Sequence, residues 1–262
     1  MKRLLLFICI FYHVSNAQSE EDVLTNINDQ IEIIDGYIEF DTFYLDPEEF
    51  LDKMADHGAE LNGYYEHDRL KKMLKKVGTR KADIVTTFYF WNDQLIHVHY
   101  KQRPYLMTKN ARGQNVPDHT KAFTKYESKH FFKDGEEIKR KETGSPMSDM
   151  DPDVEFLNYA NKMKGLLDNK FYNKDTYEAL QGKWLFIENT EDYIIFEGTI
   201  RFNFYNGKFA NRLKTRIEDG VLECFFPMDD RLYRYKIVDL NNNILTLVDL
   251  FSKEEFVYAK VD

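Results

Sequence analysis

The sequence predicts a mainly β protein with a few helices, an α+β chain built from two antiparallel units. Aromatic residues make up 15% of the chain, mainly as 21 Phe and 17 Tyr, and such side chains favour half-buried strands. Apolar and polar residues alternate in many short segments, which is the period of a strand. Turn residues such as Asn-Asp, Asp-Gly and Asn-Gly separate these segments, as is typical of antiparallel hairpins.

The chain begins with the features of a secretory signal peptide. Lys2 and Arg3 precede an apolar run from Leu4 to Tyr12, and small residues follow, up to Ala17. The run is shorter than the roughly 20 residues that a membrane-spanning helix needs. We therefore expect residues 1–17 to be removed by cleavage after Ala17. The mature protein would then be periplasmic or secreted, with no membrane span.

The charge of the chain limits its partners. The net charge is −9, and loss of Lys2 and Arg3 with the signal would make the mature chain two units more negative. Binding to nucleic acid or to anionic lipid depends on Lys and Arg side chains that neutralise phosphates. The acidic balance therefore argues against both partners.

The cysteine content excludes an internal disulfide in the mature chain. Cys9 lies within the signal, so Cys224 would be the only cysteine left. It alternates with Leu222 and Phe226, which is the pattern of a buried apolar face. We therefore expect Cys224 to be a small core residue rather than a catalytic thiol.

Residues 18–146 are predicted to form an antiparallel β-hairpin domain. Two segments with strand periodicity flank a short polar turn in each of three places. In one pair the second segment, Arg69–Val77, also fits a helical period, and we favour the strand because the neighbouring hairpins have the same layout. The pairs are Asp83–Trp91 with Gln94–Gln102, Lys125–Phe132 with Glu136–Lys141, and Asn62–Glu66 with Arg69–Val77.

The same domain is expected to contain a short helix and a loop. The helix would begin at Pro47, with Asp46 as its cap. Its apolar side would be formed by Phe50, Leu51 and Met54, and Gly58 would end it. The segment Lys101–Lys121 shows no period and contains two prolines, so we expect a structureless loop there.

Residues 147–180 are predicted to be linker helices. The first would start at Asp151-Pro152 and present Phe156, Tyr159, Met163 and Leu166 on one side, and the second would cover about Lys174–Leu180. Residues 181–262 then read as eight short strands with short turns, which favours an up-and-down meander that closes into a barrel. These strands are Lys183–Asn189, Tyr193–Glu197, Thr199–Tyr205, Lys208–Ile217, Val221–Pro227, Leu232–Leu240, Ile244–Asp249 and Glu255–Val261.

The last third of the chain resembles the small bacterial lipocalin-like domains. The resemblance is carried by a Gly-x-Trp motif at Gly182 and Trp184 and by a Phe-rich strand ending in Asn206-Gly207. Tyr235-Lys236-Ile237 and Leu245-Thr246-Leu247 complete it. It implies an eight-stranded barrel in which Gly182 allows a tight chain entry and Trp184 plugs the closed end. The family's late arginine that packs on the tryptophan has no clear counterpart.

The first domain resembles, more loosely, the hairpin-repeat domains of exported proteins from Bacteroidetes-type bacteria. The segment Phe88–Ile96 carries this resemblance, with an aromatic strand, an Asn-Asp turn and then Leu-Ile. The resemblance implies an exported bacterial protein and names no chemistry.

Two histidines are the candidate metal ligands. His97 and His99 are two residues apart on a predicted strand, so both would project from one face and could share a zinc ion. A third ligand would have to come from elsewhere, for example from His57, His67, His119, His130 or one of the many carboxylates. Alternatively, the pair is simply the polar face of a half-exposed hairpin.

No catalytic motif is present in the sequence. The acidic sets Asp46, Glu48 and Glu49 and Glu136-Glu137 are expected to be dipole partners or solvated charges rather than acid–base pairs. The chain contains no Gly-x-Ser-x-Gly elbow, phosphate loop, dinucleotide fingerprint or His-Glu-x-x-His helix. We therefore expect no catalytic residues and no cofactor.

Aromatic residues on the barrel strands are the candidate ligand-lining residues. They would either fill the barrel or surround one small ligand. The prediction is an exported, non-catalytic binding protein of the bacterial envelope, with a small apolar ligand or an envelope protein as its partner. The alternatives are a zinc enzyme that uses His97 and His99, and an interaction protein with a filled barrel. The candidate lining residues are Phe202, Phe204, Phe225, Tyr233, Tyr235 and Phe256.

Overall fold

The structure is a computed structural model, and it describes residues 19–147, 155–226 and 231–261. The expected signal peptide, residues 1–17, lies outside the described residues, as does the expected helix start at Asp151-Pro152. Within the described part the chain forms mostly strands, arranged as an N-terminal antiparallel sheet and a C-terminal closed barrel. This confirms the predicted fold class. No helix among the described residues is long and apolar enough to cross a lipid bilayer.

The N-terminal sheet is a meander of hairpins with the strand order β1-β2-β3-β4-β5-β7-β8, and β6 pairs only with β5. All three predicted hairpins are present, including the one whose second half also fitted a helix. All three turns place both central residues at positive φ, as a tight two-residue hairpin turn requires; these residues are His67-Asp68, Asn92-Asp93 and Asp134-Gly135. The strands are β1 (Asp41–Leu45), β2 (Ala59–Glu66), β3 (Arg69–Gly78), β4 (Ala82–Trp91), β5 (Gln94–Lys109), β6 (Asn115–Ala122), β7 (Tyr126–Lys133) and β8 (Glu136–Gly144).

The expected loop at Lys101–Lys121 is wrong, because this segment is a further hairpin. Strand β5 continues to Lys109, and β6 pairs back onto its second half. A register shift between Tyr105 and Leu106 interrupts the alternation, which hid the strand period. Pro117 lies in β6, an edge strand, where a missing N–H costs little.

The first domain also begins with a helix that we did not expect. Helix α1 (Glu20–Asp35) starts at Ser19, whose side chain and that of Asp22 form a reciprocal capping box. Its buried residues, Val23, Ile27 and Ile34, pack on the sheet beside Tyr89, Ile96 and Phe131. The first part of the predicted hairpin domain is therefore helical.

The predicted helix at Pro47 is present but much shorter than expected. Helix α2 covers only Pro47–Phe50, and the chain is already extended at Leu51. Phe50 is buried in the core of the first unit, whereas Met54 is exposed and does not form an apolar side with it. The apolar spacing alone did not stabilise further turns.

The two helices expected as a linker each pack on one unit. In α3 (Phe156–Tyr172), Phe156, Ala160, Met163 and Leu167 enter the core of the first unit, on the sheet face opposite α1. In α4 (Lys174–Leu180), Tyr177 and Leu180 enter the core of the barrel. These helices therefore bring the barrel against the sheet.

The barrel consists of the eight predicted strands, each paired antiparallel with the next, and β16 pairs with β9 to close it. Closure leaves no free strand edge. Its strands are β9 (Gly182–Phe186), β10 (Tyr193–Glu197), β11 (Ile200–Tyr205), β12 (Lys208–Glu218), β13 (Val221–Phe225), β14 (Leu232–Leu240), β15 (Ile244–Asp249) and β16 (Glu255–Val261).

One buried carboxylate joins the two units. Glu49 in α2 is 2% exposed and accepts a hydrogen bond from the backbone N–H of Thr199 in the barrel, at 2.7 Å. Its other oxygen accepts from the Asp46 N–H at 2.6 Å, and Lys170 of α3 forms an ion pair with it at 3.1 Å. Glu49 is thus a buried link between the two units, and the expectation that it is a dipole partner or a solvated charge is wrong for this residue.

Candidate ligand-binding site

The closed end of the barrel lies at the start of β9, where α4 leads into the first strand. Trp184 is fully buried there, and its Nε1–H donates to the carbonyl of Leu180 at 2.7 Å. The Nζ of Lys260 lies 5.0 Å from the centre of its ring. Lys260 thus packs over the Trp184 ring, where the resemblance to lipocalin-like domains led us to look for an arginine. Trp184 is thus part of the buried core of the barrel.

Gly182 is needed for its backbone conformation. Its φ is +104°, which side-chain-bearing residues rarely adopt. The nearest atom to an added Cβ would be Lys260 Cε at 3.5 Å, which is ordinary van der Waals contact. The glycine therefore permits the chain entry through its φ, and not because a side chain would clash there.

The half of the barrel next to Trp184 is filled with side chains. Buried residues from all sides of the barrel meet there, including Phe196, Ile217, Leu222 and Leu245. Cys224 is also fully buried in this cluster, and burial raises the pKa of its thiol. This confirms the expectation that Cys224 is a core residue.

The opposite half contains a cavity of about 200 Å³ at the mouth of the barrel. The residues that form its wall come from β9, β10, β11, β14 and β16 and from the turn before β10. Most are aromatic, with one cation and one carboxylate among them. They are Phe186, Asp192, Tyr193, Ile194, Arg201, Phe204, Tyr205, Tyr235, Phe256 and Tyr258.

Three of the six candidate lining residues form this wall. Phe204, Tyr235 and Phe256 line the cavity, and the Phe204 ring stacks on Tyr193 with 4.4 Å between ring centres. The other three, Phe202, Phe225 and Tyr233, do not line it. Phe202 alternates with the buried Arg201 and Asn203, and Phe225 follows the buried Cys224, so both rings lie on the other side of their strands.

Arg201, the cation in the wall, was not among the residues predicted to line the site. Its side chain is buried in the barrel, where Nε donates to Asn203 Oδ1 at 2.8 Å and the guanidinium lies 5.2 Å from the centre of the Tyr235 ring. In the sequence, Arg201 and Asn203 look like the solvated side of a half-exposed strand. Their order within the Phe-rich strand gives no signal that the polar side faces inward.

The candidate metal pair lies together on one face of the first sheet, as predicted. The rings of His97 and His99 are 6.4 Å apart, and His99 is hydrogen-bonded to Glu127 at 3.2 Å. Burial, together with the neighbouring His99, lowers the pKa of His97 to about 3, so this imidazole is neutral. Within the described ranges no group of three or more His, Cys, Asp or Glu side chains could hold a metal ion. The zinc hypothesis gains no third ligand and stays a prediction.

A Ser–His–Glu hydrogen-bond chain, which the sequence analysis did not identify, lies in the first unit. His130 Nε2 is 2.9 Å from Ser128 Oγ, and its Nδ1 is 3.1 Å from Glu137 Oε2. This order resembles a serine hydrolase triad. However, Ser128 and His130 are fully buried, and the Phe156 ring lies 4.6 Å from the His130 ring. Neither residue lines the cavity at the barrel mouth, and the hydrogen bonds of this chain satisfy buried polar groups.

Comparisons of this chain with protein-family models, with curated proteins and with solved structures found no match. The similarity to lipocalins therefore consists of the closed eight-stranded barrel and its Gly-x-Trp entry.

Proposed function

We propose that this chain is an exported, non-catalytic binding protein of the bacterial envelope and that its barrel mouth holds a small apolar ligand. The observation that carries the proposal is the aromatic-walled cavity above the filled half of the barrel. Ligand sites are typically concave and mostly apolar, with a few polar groups that fix orientation. At about 200 Å³ the cavity is below the roughly 300–1,000 Å³ of drug-sized sites, which favours a small occupant.

Titration calorimetry with 1-octanol tests the ligand site, because this probe is apolar, small and uncharged. We expect saturable binding to the folded chain with one site. The matched variants are Phe204→Ala, whose ring lines the cavity, and Phe202→Ala on the same strand, whose ring does not. Phe204→Ala should weaken binding by about 5- to 30-fold through lost contact, and Phe202→Ala should leave it unchanged. No saturable binding, or equal losses in both variants, would contradict the proposal.

Expression in a Gram-negative bacterium tests export separately. We expect the protein in the periplasm or the medium, with Gln18 as its first residue. Retention in the cytoplasm with Met1 intact would refute this part of the proposal and leave the ligand site to its own test.

A further inference from the structure

The wall of the mouth cavity contains a buried cation. Arg201 is 6% exposed, and it is the only Lys or Arg among the residues that line the cavity. Its Nε is occupied by Asn203, and its Nη1 lies 3.9 Å from Cys224 Sγ. No carboxylate of the described residues forms an ion pair with it. Arg201 thus carries its charge into the barrel without an anionic partner there.

The groups around Arg201 are neutral at physiological pH. Burial raises the pKa of Cys224, of Tyr258 and of Tyr235, the last to about 12, so the thiol and both phenols keep their protons. The carboxylate of Asp192 also lines the cavity, but it forms no ion pair with Arg201, and its Oδ1 accepts the Asn206 N–H of the adjacent turn at 2.7 Å. The cation therefore lacks the compensation that buried charges normally have.

An anionic ligand would supply that compensation. A guanidinium is planar and presents several N–H donors, which match a carboxylate or a similar anion. The rest of the wall is mostly ring surface, including Phe186, Phe204 and Phe256, which suits an apolar chain or ring. The cavity therefore combines one recessed positive charge with an apolar surround.

We propose that the barrel mouth binds a small anionic amphiphile, a carboxylate with a short apolar chain, whose head group contacts Arg201 and whose chain lies against the aromatic wall. This inference rests on the proposed ligand-binding function and names the chemical class of its ligand.

Three eight-carbon probes that differ in head group test this inference by calorimetry near neutral pH. Octanoate should bind more tightly than 1-octanol by roughly 10- to 100-fold, since it adds charge-assisted hydrogen bonds to Arg201. Octylammonium should bind most weakly, because its charge repels the guanidinium. If 1-octanol binds and octanoate binds no better, the inference is overturned and the proposed function stands. If none of the three binds, both fail.

Two variants test whether the preference for octanoate over 1-octanol depends on Arg201. Arg201→Gln should bring the affinity for octanoate to within about threefold of the same variant's affinity for 1-octanol, because the charge-assisted hydrogen bonds are lost. Arg201→Lys keeps the charge and should retain part of the preference. Circular dichroism checks that each variant folds. If Arg201→Gln does not fold, the inference is tested by the Arg201→Lys variant and by the order of affinities of the three probes for the unaltered chain. Octanoate preference that persists undiminished in a folded Arg201→Gln variant would overturn the inference.

Discussion

The carboxylate of Glu49 should couple the folding of the sheet unit to that of the barrel. The perturbation that tests this is Glu49→Leu, which keeps a side chain of similar length in α2 but removes the charge. It leaves the ammonium of Lys170, which is 18% exposed, without its partner, and it orphans the buried N–H of Thr199. The matched control is Glu48→Leu, an equal change in the same helix outside this network.

The expected loss of stability follows from these contacts. Removing one partner of a buried ion pair costs about 3–5 kcal/mol, and each orphaned N–H adds about 1–3 kcal/mol. Lys170 is partly exposed and Asp46 is exposed, so water can replace some of the lost contacts, and we expect about 3 kcal/mol, which is less than the sum of these figures. Glu48→Leu should cost less than about 0.5 kcal/mol.

Urea unfolding followed by tryptophan fluorescence measures both the loss of stability and the coupling of the two units, because each unit contains one tryptophan. Trp91 lies in β4 of the sheet and Trp184 in β9 of the barrel. Tryptophan fluorescence of the chain with Glu49 intact should change in a single transition, and Glu49→Leu should split it into two. A cost below about 1 kcal/mol, or two transitions already present with Glu49 intact, would refute the coupling.

Three further predictions concern the core and the backbone. The pKa of His97, about 3 in the fold, lies below its ordinary value, so the unfolded chain binds the extra proton and stability should fall as the pH drops from about 6.5. His97→Leu should therefore stabilise the protein by about 1–2 kcal/mol more at pH 5 than at pH 7.5 in urea titrations, and an equal gain at both pH values would contradict this. Gly182→Ala should lower the free energy of unfolding by about 1–3 kcal/mol, because alanine rarely adopts this positive φ. Gly165→Ala in α3, with open space around it, should raise the free energy of unfolding slightly. A loss of stability of the same size in both variants would contradict the backbone explanation. Ser128 should not react with a fluorophosphonate probe in the folded protein, and labelling that Ser128→Ala abolishes would reveal a hydrolytic site that we argue against.

The sequence analysis found those parts of the fold that depend on neighbouring residues. The hairpin turn at Asn92-Asp93 and the eight barrel strands follow from local period and turn chemistry, and both are confirmed. The errors lie where that local signal is interrupted or incomplete. The register shift at Tyr105 hid the hairpin of β5 and β6, and the apolar spacing after Pro47 suggested more helix than the chain forms.

The candidate site was predicted only in part, for a related reason. Phe204 and Phe202 have the same chemistry and both lie on β11, yet only Phe204 lines the cavity. Which side of a strand faces the barrel interior depends on the closed register, and the register shift between Asn203 and Phe204 alters it within one strand.

The sequence by itself determined the class of the fold, the strand succession of the barrel and the position of its Gly-x-Trp entry. Only the tertiary structure decided that Arg201 lies inside the barrel, that Ser128, His130 and Glu137 form one hydrogen-bond chain, and that Glu49 joins the two units. The physical reason is that these interactions differ in their range along the chain. Turn and strand preferences act over a few residues, whereas the burial of a charge depends on which distant strands and helices close around it.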